Sequence, residues 1–121
     1  MDALLQVAVG LVATMMFGLG TASMFAPKKM LDNFAVDPRG VAGLNTIRGV
    51  IGGLFLGSVG LLGAGLATGQ TLLFVAVAVV LAAIAGGRIV GAALDGPDRA
   101  TFPPLVVELV MVAILVSAHA L

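Results

Sequence analysis

Cysteine, tryptophan and tyrosine are absent from this chain, and there is one histidine, His119. Without cysteine there are no disulfides, no thiolate ligands for zinc or iron–sulfur clusters, and no thiol nucleophile. A single histidine rules out a His-rich metal site or a bis-histidine haem within one chain. It also falls short of the nucleophile, base and orienting group that triad chemistry needs. No catalytic residue, metal or cofactor is therefore expected, and the chain reads as non-enzymatic. The lack of Trp and Tyr removes the usual aromatic belt of membrane proteins. Charge is scarce as well, with six basic and six acidic residues and a net charge of zero. No basic patch with interleaved aromatics exists, so no nucleic-acid partner is expected.

What fills the chain is apolar: 60% of residues are hydrophobic and only 10% charged, and the mean hydropathy is +1.20. A soluble domain of 121 residues must leave much of its surface exposed and would not hide so much apolar area. Membrane spans remove that difficulty, since about 20 mostly apolar residues cross a bilayer. Four such segments are present, at 3–26, 43–67, 71–94 and 105–121. They predict an all-α integral membrane protein, one transmembrane four-helix bundle over residues 1–121. The first segment reads as a retained span. A signal peptide carries positive charge before its apolar run, whereas here Asp2 precedes the run and Lys28 and Lys29 follow it.

The basic residues orient the bundle. Loop one holds Lys28, Lys29 and Arg39, and loop three holds Arg99; loop two and both terminal segments have none. The positive-inside rule puts loops one and three in the cytoplasm and both termini in the periplasm of a bacterial inner membrane. In loop one, Met30, Leu31 and Phe34 recur at helical spacing beside Lys28, Lys29 and Asp32. That pattern predicts a short amphipathic segment lying on the membrane surface. Small residues recur every fourth position in the spans: Gly49, Gly53 and Gly57 in the second, Gly87 and Gly91 in the third. Such stripes let helix backbones approach closely, within the chain or between copies. The fourth span lacks the pattern and reads as the most lipid-exposed or the most loosely packed. Met15, Met16, Met24 and Met111 read as packing filler rather than a metal-binding stripe. A faint repeat places Arg48 nine residues after Arg39 and Glu108 nine after Arg99.

Three ionisable residues interrupt the spans: Arg48, Arg88 and Glu108. A charge in hydrocarbon costs at least ~2.5–3.5 kcal/mol, so each needs a partner or a role. At ~1.5 Å per residue, all three fall within ~5–9 Å of the helix ends that face loops one and three. They are expected to share one polar layer with Asn45 and Asp95, one and two helical turns away from Arg48 and Arg88. Two readings stand. Arg88 and Glu108 form a bidentate pair that pins the third helix to the fourth, with Arg48 extending its guanidinium to the headgroups. Alternatively, the positive charge left over from two arginines and one carboxylate takes a ligand. A lipid phosphate, a carboxylate or a quinone carbonyl would serve. His119 lies on the same stripe as Glu108 and reads as a terminal residue at the outer interface.

The run Ile47-Arg48-Gly49-Val50-Ile51-Gly52-Gly53, the run from Gly87-Arg88 to Asp95-Gly96, and Glu108 together resemble a family of small bacterial four-helix membrane proteins of unknown function. In architecture the chain is similar, more loosely, to the DoxX-like membrane proteins. The resemblance implies a fold and a membrane location. Its signature positions would be Arg48, Gly52, Gly53, Arg88, Asp95, Gly96 and Glu108. Some DoxX-like proteins are linked to quinol oxidation, and this chain would then be an accessory subunit. The leading functional expectation is a protein that binds a lipid- or quinone-like ligand, or an integral partner in a larger membrane complex, through Arg48, Arg88, Glu108, Asn45 and Asp95. The alternative is a small homo-oligomeric transporter. Small multidrug transporters, however, carry an essential carboxylate in the first helix, where this chain has none.

Overall fold

The computed structural model describes residues 1–121, and its regular elements are all helices. Helix α1 spans Ala3–Phe25. Its start is fixed by Asp2, whose carboxylate accepts the Leu5 amide at 2.8 Å, an N-cap that satisfies one of the orphan donors of the first turn. Pro27 cannot continue the helix and opens a 3₁₀ turn, Pro27–Met30, followed by the short α2, Leu31–Phe34. The second long helix is composite: α3 (Gly40–Thr46), a π-helical stretch (Ile47–Gly52) and α4 (Gly53–Thr68). Gly69, at φ +74°, ends α4 in the left-handed conformation open to glycine and returns its amide to the Gly65 carbonyl at 3.0 Å. Helix α5 spans Leu72–Asp95, and a 3₁₀ turn (Arg99–Thr101) leads into α6, Phe102–Ala120. The second helix begins earlier than its apolar run, at Gly40, and the fourth is extended back to Arg99. In both cases loop residues continue the coil, Gly40–Ala42 in the second helix and Arg99–Thr101 in the fourth.

Four helices are long and apolar enough to cross a membrane. They form a ring in which α1 packs on α4 and α6, and α5 packs on the same two. The most extensive contacts lie within sequential pairs, so the bundle is two hairpins laid side by side. The core is built from Val9, Met16, Leu62, Phe74, Val77 and Leu115. Outside it, large apolar residues face outward along every helix, among them Leu11, Leu54, Val79 and Val110. The hydroxyls follow the same logic. Thr14, Ser23, Thr46, Ser58 and Thr68 each donate to the carbonyl four residues back in their own helix. A helix that meets no water satisfies its polar groups internally.

The closest helix approaches differ from the expected stripes. A Cβ added at Gly53, Gly57, Gly87 or Gly91 would meet no atom within 4 Å, and at Gly49 only Asn45 Oδ1 at 3.9 Å. Those glycines face away from the chain's own neighbours. The tight contacts between long helices are at Gly20, against Phe55 and Leu56; Gly52, whose added Cβ would lie 3.1 Å from Met24; and Gly65, against Phe74. In the second helix the π stretch, Ile47–Gly52, puts Gly49 out of the α-helical phase of Gly53 and Gly57. Loop one also departs from a purely surface-lying segment. Pro27 and Met30 are buried against the protein, and Phe34 stacks on Phe55 with centroids 6.4 Å apart. Helix α6, read as the most exposed, has the smallest buried share of the four long helices, although α5 covers one side of it.

Candidate functional site

Glu108 stands two turns into α6 and is the one buried ionisable residue, 7% exposed. Arg88 lies two turns before the end of α5 and is half-buried. Both oxygens of the carboxylate accept from a single nitrogen, Arg88 Nε, at 2.8 and 2.9 Å. This is the one ion pair of the protein. It differs from the two-nitrogen fork expected from sequence, because the guanidinium approaches side-on. Neither Nη group makes a hydrogen bond within the chain, and the side chain keeps 35% of its exposure. The pair is neutral overall, yet its outer edge carries up to four N–H donors without an acceptor.

Arg48 is not part of this arrangement. Its Nη1 donates to the Met24 carbonyl at 2.6 Å. Met24 belongs to the last turn of α1, where carbonyls lack intrahelical partners and a cation is favoured by the helix dipole. The reason for the separation is topological. In the ring, the second and fourth helices stand diagonally, and the π stretch carrying Arg48 packs on α1. Gly52 makes this possible, since its missing side chain lets the π stretch close on Met24. Asn45 is exposed and makes no side-chain hydrogen bond, and Asp95 is exposed at the end of α5 without an ion-pair partner. Of the five expected site residues, the structure therefore joins Arg88 and Glu108, and leaves Arg48, Asn45 and Asp95 outside.

Two features have no counterpart in the sequence reading. One is the Met24 carbonyl as the acceptor for Arg48, invisible because a backbone group has no sequence signature. The other is a link between Thr71 Oγ1 and His119 Nδ1 at 3.0 Å, which ties the start of α5 to the end of α6. An open groove of about 300 Å³ runs along the α1–α6 seam, on the side of α6 away from α5 and its ion pair. Its lining is wholly apolar, with Leu11 and Met15 on α1 facing Val107 and Met111 on α6.

Fold and site together define a class: an apolar four-helix bundle with one ion pair tying its second hairpin. Residues 4–119 match the family described as a domain of unknown function, DUF4345, and the chain belongs to that family. No curated protein and no solved structure matches it.

Proposed function

We propose that this is a multi-pass protein of the bacterial inner membrane that binds an amphiphile through Arg88, with both termini in the periplasm. The observation that carries the reading is the side-on pair: Glu108 holds Arg88 by Nε and leaves both Nη groups without an acceptor. Because Glu108 already compensates the charge, the free N–H groups suit a neutral acceptor better than a phosphate. A carbonyl on a hydrophobic molecule, such as a quinone ring or a lipid ester, fits that description. Exposed apolar residues next to the pair in sequence, Ile89 on α5 and Leu109 on α6, offer a surface for its hydrocarbon part. The pair fixes and polarises a ligand; it holds no nucleophile or base set for covalent chemistry.

The test is native mass spectrometry of gently extracted protein, wild type against Arg88→Lys. Lysine keeps the charge for Glu108 but removes the fork. Retention of a carbonyl-bearing amphiphile by the wild type and its loss from the variant, at similar thermal stability, supports the reading. Equal retention by both sinks it.

A further inference from the structure

The two arginines differ in their charge balance, and the difference assigns them different chemistry. Arg88 is neutralised by Glu108, whereas Arg48 has no carboxylate partner and spends one nitrogen on a backbone carbonyl. We propose that Arg48, with Lys28 and Lys29, binds the phosphate of an anionic phospholipid headgroup at the C-terminal end of α1. The inference rests on the membrane placement proposed above, but not on the Arg88 site.

Three observations carry it. Charge comes first. Residues 24–48 hold Lys28, Lys29, Arg39 and Arg48 against Asp32 and Asp37, four positive minus two negative, a local net of +2. None of the six is in an ion pair. The partial negative charge of the α1 terminus, roughly half a unit, does not cancel that. Position comes second. Met24 lies one residue before the end of α1, so the guanidinium that binds its carbonyl sits where a membrane-length helix ends. Lys28 and Lys29 follow in the 3₁₀ turn. They are exposed, while Pro27 and Met30 on either side are buried and hold the turn on the bundle. The third is the setting. A cleft of about 320 Å³ opens between this turn and α3, lined by Lys28, Asp37 and Gly40 with apolar Leu31, Pro38 and Leu44. Phe25 and Val41, 71% and 83% exposed, stand beside it in the chain. Guanidinium and ammonium donors match phosphate oxygens, and the exposed apolar flank matches an attached acyl chain. A soluble phosphate would use the first feature and not the second.

The experiment is a native mass spectrometry titration of the full chain in neutral detergent. The lipids are phosphatidylglycerol and, at equal chain length, phosphatidylcholine. Phosphatidylglycerol is expected to bind at least tenfold tighter. Lys28→Gln with Lys29→Gln, which leaves the helix junction intact, should weaken it by about fivefold per charge removed. Arg48→Lys should weaken it further by removing the fork. Arg99→Gln, which removes a charge from loop three at the same end of the bundle, should leave it unchanged. Excess inorganic phosphate should not displace the lipid. Equal affinity for the two lipids overturns the proposal, as does wild-type binding by the double lysine variant. An equal loss with Arg99→Gln would reduce the effect to bulk charge, and displacement by inorganic phosphate would reassign the site to a soluble anion. The carbonyl amphiphile tested with Arg88→Lys is a separate readout, so either site can fail alone.

Discussion

Glu108 offers both carboxylate oxygens to one nitrogen of Arg88, so all of its pairing depends on a single side chain. Removing one member of a buried pair leaves the other uncompensated and typically costs ~3–5 kcal/mol, whereas replacing both is close to neutral. Glu108→Gln and Arg88→Gln are each expected to destabilise the protein by about 3 kcal/mol, the low end because Arg88 is partly exposed. The double variant should lose less than the sum, with a coupling of about 1–3 kcal/mol by unfolding in detergent. The same cycle between Glu108→Gln and Arg48→Gln should give coupling within about 0.5 kcal/mol of zero, since the two side chains share no partner. A coupling of comparable size in both cycles would mean that the three charges act as one layer after all. Arg48→Gln should act alone, losing a charged hydrogen bond to the end of α1 worth about 1.5–3 kcal/mol.

At the level of the helix, the adjacent glycines 52 and 53 separate two accounts of packing. Gly52 lies against Met24 and Gly53 against nothing within 4 Å. Gly52→Leu is expected to lower the melting temperature sharply, by displacing the π stretch from α1 and breaking the Arg48 contact with it. Gly53→Leu should shift the melting temperature far less. Comparable losses would mean that Gly53 packs on a second copy of the chain, and size-exclusion chromatography would then separate the variants by oligomeric state. The four apolar segments are legible in the sequence because runs of that length match the thickness of a bilayer and exceed what a small soluble core can cover. Arg48, Arg88 and Glu108 stand out against that background. Glycine periodicity picks out a face of the second helix that meets no other part of the chain. The i, i+4 rule holds for regular α-helix, and within Ile47–Gly52, where Gly49 lies, the chain leaves that geometry and brings Gly52 against α1 instead. Depth brings Glu108 level with both arginines; the choice of Arg88 and the exclusion of Arg48 require the order of helices around the ring, which no local pattern encodes.

Across the whole molecule, the faint repeat in sequence gains a physical counterpart. Arg48, on the second long helix, reaches back to the first, and Glu108, on the fourth, reaches back to the third. Each hairpin is thus tied across its own two helices near the end that carries loops one and three. If those loops face the cytoplasm, a periplasm-dependent phosphatase fused to either terminus should be active, and a fluorescent protein that matures only in the cytoplasm should stay dark there. The opposite pattern at both termini would invert the orientation. The ties also bear on biogenesis. Thr14 and Ser23 of α1 bond to its own backbone and the helix holds no charge between Asp2 and Lys28, so in a membrane it is expected to leave the translocon alone. Helix α5 cannot do so on equal terms, since Arg88 has no counter-charge until α6 emerges. The last two helices are therefore expected to partition into lipid as a unit, and in a nascent chain arrested before Glu108, crosslinks between α5 and the translocon should persist that the completed chain loses.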